Sequence, residues 1–111
     1  MKSNPKFPLP SSMAQKNVEF HEGAAREYLG AIEWYLSRNQ VVASRSAQQV
    51  TNAVRLIAEA PQHWPGYPRG TRKFVLRRFP YLLIYRELPD VIQVLAIAHA
   101  HRRPGYWKNR R

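Results

Sequence analysis

"RKFVLRRFPYLLIYRELPDVIQVLAIAHAHRRPGYW" (residues 72–107) decides the fold, because three strand-like runs follow one another there with almost nothing between them. The runs are 72–79, 81–88 and 91–99, each dense in β-branched, aromatic or leucine residues. Pro80 makes the first connection tight, and Pro89-Asp90 supplies the second turn. Links this short join only antiparallel neighbours, so the stretch predicts a three-stranded antiparallel meander. In the second run Tyr81, Leu83 and Tyr85 face one way, and Leu82, Ile84 and Arg86 the other. The third run is apolar on both faces, with Ile92, Val94 and Ala96 opposite Leu95 and Ile97. Such a sheet needs cover on both sides.

Upstream, "PQHWPGYPRG" (61–70) is rich in proline and glycine and must end whatever helix precedes it. Trp64 and Tyr67 in this loop are expected to pack rather than to stand free. From about Val42 to Glu59 the apolar residues Ala43, Ala47, Val50, Val54 and Ile57 recur at helical spacing. From Glu22 to about Arg38 the same is true of Ala25, Leu29, Ile32 and Leu36, flanked by Tyr28 and Tyr35. Asn39-Gln40 is a short link, which predicts an antiparallel helix hairpin. "KNVEF" (16–20) reads as an opening strand with Val18 and Phe20 on one face. The whole is an α+β domain: an N-terminal strand, an antiparallel helix hairpin, then the meander, with the helices packed on one face of the sheet. The hairpin covers one face, and the C-terminal residues as far as Trp107 are expected to fold back over the other. The expected division is a flexible leader over 1–14, the domain over 15–107 and a mobile basic tail over 108–111.

A chain of 111 residues with 44% hydrophobic content fits one globular domain. The chain has no cysteine, which removes disulfides and thiolate metal sites and is compatible with a reducing cytoplasm. No apolar run approaches the roughly 18 residues needed to cross a bilayer, so no membrane partner is expected. Charge is the strongest global signal. Eleven of the 18 Lys/Arg but only two of the seven acidic residues lie from Arg69 onward, so +9 of the formal +11 sits in the second half. That asymmetry points to a polyanionic partner, either nucleic acid or an acidic protein.

The last basic stretch carries the candidate chemistry. Metal-free RNA cleavage needs a base, cations for the phosphate and a proton donor. His99 and His101, on one face if the strand persists, have the acid–base range, and Arg102 can hold phosphate. Arg103 adds a cation, and Tyr106 or Trp107 could stack a base. Lys73 and Arg77, read as sharing a strand face, would extend a basic groove together with Arg78. Zinc is not expected: His21 and His63 lie in other elements with no ligand-like spacing to the histidine pair. No cofactor motif is present either. Glu19, Glu22, Glu27 and Glu33 read as a solvated face of the first helix.

With its Phe-Pro-Tyr, its spaced Ile-x-Tyr and a final strand running into His, Arg-Arg and an aromatic, 72–107 resembles the RelE/ParE toxin superfamily of type II toxin–antitoxin systems. The resemblance covers residues 16 to 107 and is nearest to the plasmid stabilisation branch. It implies a cytoplasmic toxin neutralised by a cognate antitoxin. It implies one of two targets: DNA gyrase, inhibited without catalysis as by ParE, or ribosome-bound messenger RNA, cleaved as by RelE. RelE-like nucleases commonly carry an arginine in the strand matching "YLLIY", where this chain has Leu82, and Val75 stands where a basic residue is frequent. Those departures favour the ParE-like reading. The alternatives are a metal-independent endoribonuclease built on His99, His101 and Arg102, or a non-toxic nucleic-acid-binding module.

Overall fold

The computed structural model describes residues 15–100 and 103–110. The expected leader, His101, Arg102 and Arg111 lie outside the described residues. The elements run β1 (Asn17–Phe20), α1 (Glu22–Leu36), α2 (Gln40–Glu59), β2 (Gly66–Tyr67), β3 (Thr71–Val75), β4 (Tyr81–Glu87) and β5 (Val91–His99). Their order in the single sheet is β1-β5-β4-β3-β2. The meander is antiparallel as expected, but β1 lies parallel to β5, from Asn17 opposite Val91 to Phe20 opposite Val94. The sheet is therefore mixed, because the helix hairpin returns the chain to the same end before the meander begins.

Both helices start on side-chain caps. His21 Nδ1 accepts from the Gly23 N–H at 2.9 Å, and Asn39 Oδ1 accepts from Val41 and Val42 at 2.9 and 3.3 Å. Such acceptors satisfy N–H groups that a helix end leaves unpaired. On α2 the buried residues are Ala43, Ser46, Val50, Ala53 and Ile57, close to the expected seam. On α1 the inward face is one residue out of phase with the expected one. Ala24 is fully buried and Tyr28 packs on the core, whereas Leu29 and Leu36 are 59% and 52% exposed. The tyrosines carry more apolar area than the leucines' phase offered, so they take the inward side.

Two apolar layers result. On the helix side Ala24, Val50, Ala53 and Ile57 meet Leu83, Tyr85, Ile92, Val94 and Ile97. On the far side Leu82, Ile84, Leu95, Ala96 and Ala98 are closed over by Trp107. Ala96 was expected to share the face of Ile92 and Val94, but it joins the opposite layer. Ile84 pairs with Ala96 and Tyr85 with Val94, so Leu95 is an extra residue, and this β-bulge inverts the alternation beyond it. Strand β3 also ends at Val75, not at 79. Residues 76–80 form a bend in which Phe79 turns back onto the core and its ring meets Tyr35 edge-on at 5.3 Å. The Pro-rich loop adds the unanticipated β2, and Trp64 packs against Phe74 at 4.5 Å as expected.

Tyr85 ties the sheet to the end of α2: its ring is fully buried and its hydroxyl donates to the Pro61 carbonyl. Burial is the main cause that pushes its phenol up to about 12; nearby Arg72 opposes the shift and Glu87 adds to it. Only the neutral phenol can donate, so this contribution is complete below the ordinary tyrosine range and is lost as pH rises through about 12. Tyrosinate absorbance should therefore show a phenol that ionises only at about pH 12. Tyr85→Phe should remove that step and cost about 1 kcal/mol in denaturant unfolding, by leaving the Pro61 carbonyl unpaired.

Candidate functional site

Among the described residues, the predicted site residues do not converge. His99, at the exposed end of β5, meets the Tyr81 ring edge-on at 5.4 Å. Together they line an open groove of about 390 Å³ with Gly30, Ala31, Trp34, Tyr35 and Pro80. Trp34 is half exposed on α1, and the Arg38 guanidinium lies 3.7 Å from its ring centroid. Burial, followed by the neighbouring Tyr81, raises the Tyr35 phenol above its ordinary range, so Tyr35 remains a neutral donor at neutral pH. The groove wall is thus aromatic, with a single imidazole and with none of its lining residues cationic. The rest of the proposed catalytic set, His101 and Arg102, lies outside the described residues.

Lys73 and Arg77 do not share a strand face, because β3 stops two residues before Arg77. Lys73 sits on the far side of the sheet, with its Nζ 5.0 Å from the Tyr67 ring centroid. Arg77 and Arg78 stand in the following bend and line a different cleft, of about 620 Å³, against Val42, Arg45, Gln48, Gln49 and Asn52 of α2. Arg103 is exposed in a third, shallow groove with Pro68, Arg69, Tyr106 and Lys108. The basic half of the chain therefore presents separate cationic surfaces.

Two of the proposed target contacts are structural. Trp107 is 1% exposed, stacked on Tyr67 at 5.5 Å, and cannot offer a face to a base. Tyr106 turns its ring edge toward Trp107 and its hydroxyl donates to Glu27 at 2.7 Å. Of the basic residues expected to form a tail after 107, Lys108 and Arg110 make contacts with the domain. Lys108 N–H donates to Gly105 and Arg110 N–H to Trp107, and the Arg110 guanidinium pairs with Glu27 at 2.9 Å. The hydrogen bond to Glu27 is the first cause that raises Arg110 above its ordinary range, so it stays cationic throughout. Glu27 is accordingly not a solvated carboxylate.

Sequence reasoning missed Glu27, Arg110 and Arg45. The first two are joined across 83 residues, and no local spacing reveals that. Arg45 carried a signal: with Gln48, Gln49 and Asn52 it marks one polar stripe of α2 at helical spacing.

Among the described residues no group of three or more His, Asp or Glu could hold a metal, and no helix is long and apolar enough to cross a membrane. A helix hairpin on one face of a mixed five-stranded sheet, joined to a strongly basic second half, is the architecture expected from the resemblance to the RelE/ParE superfamily. Residues 18–104 match the family described as "ParE toxin of type II toxin-antitoxin system, parDE", and the chain belongs to that family. It is 33% identical over 92 residues to a protein of Sinorhizobium fredii (strain NBRC 101917 / NGR234) described as "Putative toxin Y4kP", covering 81% of this chain and 94% of the relative. Its fold resembles a solved chain described as "Chromosomal ParDE TA system from P. aeruginosa". The TM-score is 0.67 at 20% identity, with 77% of this chain and 96% of that one covered.

Proposed function

We propose that this toxin inhibits growth by binding DNA gyrase, without bond cleavage of its own, and that a cognate antitoxin neutralises it in the cytoplasm. The observation that carries the reading is the pair Val75–Leu82. These residues face each other across β3 and β4, at the two positions where a RelE-like nuclease would place phosphate-binding cations. Leu82 is 9% exposed within the layer closed by Trp107. An arginine there would carry its charge into an apolar cluster, at a cost of several kcal/mol unless paired. Around Leu82 the far face of the sheet is thus packed rather than open to RNA, while Val75, 58% exposed, presents an apolar side chain where a nuclease would need a cation. The aromatic groove beside His99 has the composition of a protein contact, where tyrosine and tryptophan are favoured. The half-exposed Leu29 and Leu36, on one line of α1, offer an apolar stripe for an amphipathic antitoxin segment.

The test is a gyrase supercoiling assay with the purified chain, paired with primer extension on a defined messenger RNA in a reconstituted translation reaction. Supercoiling should fall as toxin is added, the co-encoded antitoxin should restore it, and the message should stay intact. New 5′ ends that require both toxin and ribosomes would overturn the reading in favour of the nuclease.

A further inference from the structure

We propose that the cleft between α2 and the bend at 77–79 binds the phosphodiester backbone of duplex DNA. Arg45, Gln48, Gln49 and Asn52 supply one wall and Arg77 and Arg78 the other, with Val42 and Phe79 completing the lining. The cleft therefore gathers three guanidiniums and three amide side chains with no carboxylate among its lining residues.

Arginines elsewhere give a partial contrast. Arg38, Arg55, Arg72, Arg86 and Arg110 each donate to a protein acceptor. Arg45, Arg77 and Arg78 have no hydrogen bond, ion pair or ring contact among the described residues, and all three are exposed. Arg69 and Arg103, in the groove with Lys108, likewise have no side-chain partner among the described residues, but only two guanidiniums meet there. Three like charges gathered in one concavity repel one another, and among the described residues no carboxylate pairs with any of them. A bound polyanion would. Guanidinium forks suit phosphate oxygens, and neutral amides add donors without adding charge.

Shape and composition choose among polyanions. From Arg45 to Asn52 the wall runs about 10 Å along the helix, the reach of two to three phosphates of one duplex strand. A single-stranded ligand would need aromatic faces on which bases stack. The cleft's one ring, Phe79, is half-buried on the core and engaged edge-on with Tyr35. An acidic peptide would want apolar pockets beside its charges, and the lining provides only Val42 at the helix start and the half-buried Phe79. The cleft is suited to backbone contact without base reading. This inference stands whether or not gyrase is the target, since it concerns the direct affinity of the chain for DNA.

The experiment is fluorescence anisotropy of the purified chain on a labelled duplex at stepped salt, with a labelled single strand and an acidic peptide as competitors. The wild type should bind the duplex in preference to both. The triple variant Arg45→Gln, Arg77→Gln, Arg78→Gln should lose at least tenfold in affinity at low salt. Its log–log salt slope should be shallower by about 2 to 3, as expected for three lost phosphate contacts. A second triple, Arg69→Gln, Arg103→Gln, Lys108→Gln, removes the same charge from another groove and should lose much less. Circular dichroism checks that both variants fold. Equal losses in the two triples would reduce the effect to net charge and overturn the proposal. So would stronger competition by the single strand or the peptide than by unlabelled duplex.

Discussion

Trp107→Ala should lower the melting temperature by more than about 10 °C while leaving the helix signal of the folded protein in place. Trp107 is the largest fully buried side chain, and it closes the layer made by Leu82, Ile84, Leu95, Ala96 and Ala98. Truncating a buried tryptophan costs about 3–5 kcal/mol, from lost burial and from the cavity left behind. In a domain of this size each kcal/mol moves the midpoint by about 4–8 °C. The stack on Tyr67 would be lost as well, loosening the two-residue strand β2 that carries it. Trp107→Phe keeps a ring in the layer and should recover more than half of the loss. Lys108→Ala, one residue on and exposed, should change nothing measurable. Thermal unfolding followed by circular dichroism distinguishes the three. If Trp107→Ala melted like the wild type, the tail would not be part of the core, and the far face of the sheet would be open for a ligand.

The stretch 72–107 carried its own topology because its signals are local. Alternation, proline-marked links and the spacing of three apolar runs all act over a few residues, and β4 and β5 appear with nearly the expected bounds. The sheet-covering role of the tail was also legible, since leaving Tyr106 and Trp107 in water carries a known cost. What failed was phase and distance. The α1 face shifted because Tyr28 and Tyr35 outweigh leucines of similar periodicity, and no pattern count weighs one apolar side chain against another. The bulge at Leu95 is invisible in a run that is apolar on both faces, since any register keeps such a strand buried. The candidate site suffered most. His99, Lys73, Arg77 and Arg103 are close in composition but fall on different surfaces, and only the fold separates them.

Glu27 is the residue whose loss most directly tests how that long-range part of the fold is held. Strand β1 ends at Phe20, and the pairing stops with His21 N–H donating to Val94 at 2.9 Å. Beyond that point β5 has a bare edge, and an unpaired edge costs stability and invites pairing with other chains. Glu27 and Arg110 complete it. Ile97 N–H donates to Glu27 Oε1 at 3.0 Å, and Arg110 Nη1 donates to the Leu95 carbonyl at 2.8 Å. Arg110 then closes a two-pronged pair on the carboxylate, at 2.9 Å to Oε1 and 3.1 Å to Oε2, and Tyr106 adds its hydroxyl. The guanidinium fits against α1 because residue 23 is glycine: a Cβ there would stand 2.5 Å from Arg110 Cζ. One carboxylate thus serves four donors from two distant segments, with its side chain only 21% exposed. Glu27→Ala strands the Ile97 amide and the arginine together. A cost of about 2–3 kcal/mol follows, less than for a fully buried pair because solvent still reaches the site. Glu27→Gln should recover little, since its amide keeps one acceptor for four donors and sets an N–H group against the guanidinium. Arg110→Ala should cost less than Glu27→Ala, because it leaves the Ile97 and Tyr106 bonds intact. Denaturant unfolding gives that ranking, and amide hydrogen exchange locates it: Ile97 should lose protection in both Glu27 variants and keep it in Arg110→Ala. A Glu27→Ala protein as stable as the wild type, with Ile97 still protected, would mean that the edge of β5 is covered by something other than this carboxylate.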